Sequence, residues 1–102
     1  MYNSAERSLT AMGTAVSFKN RDRFIQLGIT ISTLRKLKGY SQEQLANKVG
    51  ISRSHLGIIE APGMANDFSL EVFLDIAAAL EVDPAELMNA SVLPDQIMNK
   101  NS

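Results

Sequence analysis

Cysteine is absent from the 102-residue chain, and histidine occurs once, as His55. Without cysteine there is neither a disulfide framework nor a thiolate metal site, and one histidine cannot assemble a multi-histidine centre. No metal or other cofactor is expected. Nothing near Met1 reads as a charged start followed by a long apolar run, and no stretch approaches the roughly 18 uninterrupted apolar residues that a membrane span needs. A soluble cytoplasmic protein with no membrane partner is the expectation. The chain also lacks an alternating strand pattern, an internal repeat and any low-complexity segment.

Apolar residues make up 45% of the chain, enough for one compact core without cross-links. The formal net charge is only −1, but the charges are segregated. Residues 19–55 carry eight Lys and Arg against Asp22 and Glu43, a balance of +6; residues 56–102 carry Lys100 against eight carboxylates, a balance of −7. A polyanion responds to the local potential and not to the total, so the first half is suited to phosphates and the second to water or a partner. Two solvated faces attracting each other within the fold would give the same pattern.

Residues 1–18 show no sustained period and read as a flexible arm or a remnant of expression. From Asp22 onward Phe24, Leu27, Ile31, Leu34 and Lys38 fall three and four apart, the stripe of a first helix that ends at Gly39. Ser41 then caps a second helix, and Gln44 three positions later completes a capping-box pattern. Leu45, Ala46 and Val49 form its inner face. Gly50 supplies a left-handed stop and Ser52 the next cap, so the second and third helices are separated by only about three residues. After the bend at Pro62-Gly63, Ser69 caps a fourth helix with Leu70, Phe73, Ile76, Ala77 and Leu80 on one side. Asp83-Pro84 opens a short fifth helix carrying Leu87. The fold class is all-α, one compact five-helix domain over residues 19–90, with a C-terminal tail at 91–102.

The strings LRKLKGYSQEQLANKVGISRSHLGIIE and SLEVFLDIAAALEVDPAELM, between about Ile31 and Met88, resemble the Cro/repressor-type helix-turn-helix (XRE) family of bacterial and phage transcription regulators. The resemblance implies a lambda repressor-like DNA-binding fold, double-stranded DNA as partner, and a homodimer on a two-fold symmetric operator. It also implies that Arg35 of the first helix pairs with Glu60. On a helical wheel Glu60 falls with Ser52, Leu56 and Ile59 on the inner side of the third helix, so the pair is a structural lock and not a site.

On the same wheel Ser54, Gly57 and Ile58 point outward, with Arg53 at the edge. A helix inserted in the major groove presents its N-terminal residues to base edges, while the preceding helix crosses the backbone. Arg53 is the candidate for bidentate contact with guanine and Ser54 for a base or a phosphate. Both are also what any surface helix can show at its start. Gln42, at the first turn of the second helix, is a candidate phosphate contact in such proteins. Ser52 is another, unless capping occupies its hydroxyl, while Lys38 and Lys48 are weaker candidates for the electrostatic footprint. His55 is open to packing or to a phosphate or base contact, and no orienting acid suggests catalysis.

Two features depart from the family pattern. APGMANDF, residues 61–68, contains no Lys or Arg where relatives often carry basic or polar residues. Gly57 and Ile58 replace more polar readers: Gly57 permits close approach, and Ile58 suits a thymine methyl or a protein interface. No nucleophile, metal cluster or phosphate loop suggests an enzyme. The expected function is a sequence-specific repressor acting as a homodimer; the alternative is an antitoxin-like protein-binding module. Leu87, Met88, Val92 and Leu93 are candidates for the dimer surface, or for completing the monomer core.

Overall fold

The computed structural model describes residues 17–63 and 66–90. One 3₁₀ turn, Phe18–Asn20, leads into α1 (Arg21–Leu37); α2 (Gln42–Val49), α3 (Arg53–Glu60), α4 (Leu70–Leu80) and α5 (Pro84–Ala90) follow. These five helices form the all-α fold that the spacing predicts. The arm expected over residues 1–18 and the tail expected over 91–102 lie outside the described residues, save for 17 and 18.

The helix ends follow local chemistry. Gly39, at φ +80°, closes α1: its N–H donates to the Lys36 carbonyl (3.0 Å), and the Tyr40 N–H donates to the Arg35 carbonyl (3.0 Å). This pair of bonds is a Schellman closure, which needs a left-handed residue at Gly39. Ser41 caps α2 through the full capping box: Oγ accepts from the Gln44 N–H (3.0 Å) and Gln44 Oε1 accepts from the Ser41 N–H (2.8 Å). Ser41→Ala is expected to lower stability by about 1 kcal/mol, since it removes the cap acceptor. Urea denaturation should show this as a lower midpoint with an unchanged slope. The Ser52 and Ser69 hydroxyls cap α3 and α4 in the same way, accepting from the His55 and Val72 N–H groups (3.0 and 3.1 Å). Asp83 Oδ1 accepts from the Ala85 N–H (2.7 Å) at the start of α5.

Leu27 and Ile31 of α1, Leu45 and Ala46 of α2, Leu56 and Ile59 of α3, four residues of α4 and Leu87 of α5 form one buried core. α2 packs against α3 and α4, and α1 runs past α3 and α5. Where α1 meets α3 there is room only for a glycine: a methyl group on Gly28 would overlap the carbonyl oxygen of Ile59.

Outside α3, three expectations change. Leu70 lies on the apolar side of α4 by spacing, yet it is 70% exposed. As the first residue of its helix it stands at the open mouth of a groove lined by Phe24, Phe68 and Met88, and is not covered by another helix. Lys38 lies beyond the end of α1 and is exposed, so it does not extend the inner stripe. Leu87, a candidate for the dimer surface, is 1% exposed and completes the core of the monomer. Met88 remains exposed; Val92 and Leu93 lie outside the described residues. No described helix is long and apolar enough to cross a membrane.

Candidate nucleic-acid interface

Gly50, Ile51 and Ser52 are the whole connection between α2 and α3. Gly50, at φ +88°, carries the turn: its N–H and that of Ile51 both donate to the Ala46 carbonyl (2.8 and 3.0 Å). A side chain at this φ is strained, so glycine is what allows so short a link. Ile51 is half-buried against the core, and Ser52 starts the next helix at once.

α3 is divided lengthwise, as its apolar spacing requires. Leu56, Ile59 and Glu60 are buried and Arg53, Ser54 and Ile58 are exposed; Ser52, expected on the inner side, is exposed because it precedes the helix as its cap, and Gly57, expected outward, is half-buried like His55. Arg53 occupies the first helical position and Ser54 the second, where free backbone N–H groups and the positive end of the helix dipole add to the arginine charge. Ser52 Oγ is engaged as an acceptor by the cap, but the hydroxyl proton is a separate donor.

Behind this surface lies a buried polar network. Arg35 Nε donates to Glu60 Oε2 (2.9 Å) and Arg35 Nη2 to Glu60 Oε1 (3.0 Å), the bidentate pair that the resemblance implies. Arg35 Nη1 donates to the Tyr40 carbonyl (2.8 Å), which ties the end of α1 into the same cluster. Gln42 Nε2 donates to Glu60 Oε1 (3.0 Å), so the start of α2 is joined to the end of α3. By its position at the start of α2 Gln42 is placed for a phosphate, and its contact with Glu60 comes in addition. Eighteen residues separate Gln42 from Glu60, and no periodic signal links them. Only one of the two amide protons of Gln42 is needed for Glu60, which leaves the other as a donor.

The remaining candidates are distributed unevenly. Gln42 lies beside α3: a Cβ at Gly57 would stand 3.8 Å from Gln42 Oε1. Lys38 instead approaches Glu81, with Nζ 3.7 Å from Oε1, at the far end of α4. Both side chains are exposed, so this pair contributes little and Lys38 is not gathered onto the α3 surface. Lys48 lies over the Tyr40 ring, 5.2 Å from its centroid. The acidic half of the chain presents Glu71, Asp75, Glu81, Asp83 and Glu86 as exposed groups on or beside α4 and α5. The arrangement is a polar, N-terminally basic helix edge on a rigid support.

The helix-turn-helix family model matches residues 31–87. The HTH-type transcriptional regulator SlrR of Bacillus subtilis (strain 168) is 39% identical over 67 residues, which cover 66% of this chain and 43% of SlrR. The HTH-type transcriptional regulator SinR of Bacillus licheniformis is 36% identical over 63 residues, 62% of this chain and 56% of SinR. The chain thus spans about half the length of these two regulators. Among solved structures, the restriction-modification controller protein C.AhdI from Aeromonas hydrophila is similar, with a TM-score of 0.58 and 38% identity. That similarity covers 63% of this chain and 94% of the controller. Since the family match runs over more than half of the sequence and takes in α2, the turn and α3 entire, the chain belongs to the XRE-type helix-turn-helix family.

Proposed function

We propose that the protein is a sequence-specific DNA-binding transcription regulator, a repressor that acts as a homodimer on a palindromic operator in the cytoplasm. The observation that carries this reading is the division of α3: Leu56, Ile59 and Glu60 anchor it, while Arg53 and Ser54 stand exposed at its N-terminus. The transcriptional regulators and the controller protein to which the chain is similar support it. Residues 19–90 are the DNA-binding unit. α3 enters the major groove, and Arg53 forms a bidentate contact with guanine. Ser54 contacts a base or phosphate, and Gln42 and the Ser52 hydroxyl donate to the backbone. His55 packs at the flank, and Lys38 adds only diffuse charge. Two copies place their α3 helices in successive major grooves about 34 Å apart.

Selection from a random duplex pool at low and moderate salt tests this. A palindrome is expected, with an affinity that falls steeply as salt rises through counterion release. Arg53→Ala should weaken binding by about 1–3 kcal/mol and relax the preference at one base pair. No enrichment by folded protein would overturn the reading. It would favour the antitoxin-like alternative, for which the acidic α4–α5 surface with exposed Leu70, Leu74 and Met88 is the supporting observation.

A further inference from the structure

We infer that Ile58 reads the 5-methyl group of a thymine within a few base pairs of the guanine contacted by Arg53; this rests on α3 being a major-groove helix. Ile58 is 47% exposed, although its neighbours Leu56 and Ile59 are among the most buried residues of the domain. The core therefore does not account for it. A β-branched residue on an exposed helix face also gains nothing from helix propensity.

Its backbone is tied to the segment that follows. The Ile58 carbonyl accepts from the Ala61 N–H (3.3 Å) and from Nδ2 of Asn66 (3.5 Å), a residue only 7% exposed. Ile59 and Glu60, which follow it, are locked in the core and in the Arg35 pair. Beside it Gly57 presents no side chain, and the space where a Cβ would stand is open except for Gln42 Oε1 at 3.8 Å. Nothing at position 57 therefore holds this part of α3 away from a groove floor.

The chemistry then selects the partner. Ile58 has no donor or acceptor, and the thymine methyl is the apolar group on the major-groove edges of the base pairs. Arg53 and Ile58 are five residues apart, about 7.5 Å along the helix axis at 1.5 Å per residue. With a rise of about 3.4 Å per base pair, this places the two contacts within a few base pairs of each other along the groove. Arg53 and Ile58 thus specify a guanine and a thymine in each half-site, with Ser54 and the side-chain-free Gly57 between them.

The test uses the full 102-residue chain and the duplex it selects, with each thymine replaced in turn by 2′-deoxyuridine, which lacks only the 5-methyl group. One replacement per half-site, within a few base pairs of the guanine that depends on Arg53, should weaken wild-type binding about fourfold, the worth of one buried methyl group. Ile58→Ala, whose shorter side chain withdraws from the methyl group, should lose most of the difference between the thymine and uracil duplexes, and Ile58→Val should keep more of it. Melting curves of both variants should stay close to the wild type, because about half of the side chain is exposed and alanine is the better helix former. Insensitivity of the wild type to uracil at every position, or undiminished sensitivity in Ile58→Ala, would overturn the role of Ile58 while leaving α3 as the reading helix. A change of oligomeric state in Ile58→Ala together with uracil insensitivity would assign the residue to a protein interface instead. Failure of the selection itself would remove the major-groove reading and this inference with it.

Discussion

Glu60→Ala is expected to destabilise the domain by about 3–5 kcal/mol, because it leaves the Arg35 guanidinium buried without a counter-charge. For a domain near 100 residues each kcal/mol corresponds to roughly 4–8 °C in melting temperature, so the variant should unfold many degrees earlier or fail to fold at 37 °C. The reason lies in how completely the network is satisfied. Arg35 is 8% exposed and Glu60 5%, and all three guanidinium nitrogens and both carboxylate oxygens have partners within 3.0 Å. Removing the carboxylate strands the arginine and also releases the Gln42 amide from the end of α3. Arg35→Met combined with Glu60→Leu removes both charges at similar volume, and should cost much less than Glu60→Ala alone. Denaturant melts of the single and double variants check this. A single-variant melt at the wild-type midpoint would mean that the pair carries no coupling.

Gly28→Ala should also destabilise, by roughly 1–3 kcal/mol, although alanine is the better helix former by about 0.8–1 kcal/mol. The added methyl would overlap the Ile59 carbonyl oxygen, which belongs to backbone and cannot swing aside. α1 and α3 must then separate, and the core between Leu27, Ile31 and Leu56 loosens with them. Gly57→Ala is the matched control, since its Cβ meets only ordinary contact at 3.8 Å from Gln42 Oε1. That change should stabilise by about 0.5–1 kcal/mol, the usual gain for alanine over glycine within a helix. If thermal melts show both substitutions stabilising, α1 and α3 are not in close backbone contact.

These two glycines lie in helices, and nothing in their sequence surroundings distinguishes them. The difference is set by which helix passes over each, a relation between residues about thirty apart for Gly28 and fifteen for Gly57. The same limit explains Gln42, legible as a helix-start residue but not as a partner of Glu60. Leu70 and Leu87 show it for burial. Spacing puts both on apolar faces, yet only Leu87 is covered, because α1 and α4 pack around α5 while the start of α4 borders an open groove. Glu81 closes α4 in a left-handed conformation at φ +60°, a role for which the sequence holds no glycine signal.

By contrast, Ser41, Ser52 and Ser69 each cap the helix assigned to them, and Gly39 and Gly50 turn the chain where expected. Those signals operate over three or four residues, between a side chain and the nearest backbone groups, so local chemistry suffices to place them. The sequence by itself therefore determined the five helices, the tight link before α3 and the outward positions of Ser54 and Ile58, with Arg53 at their edge. Only the tertiary structure decided that α1 crosses α3 at Gly28, that Gln42 joins the Arg35–Glu60 pair, and that Leu87 is core. Those contacts exist only once separate helices are packed together, and they depend on which surfaces meet and not on the residues adjacent in the chain.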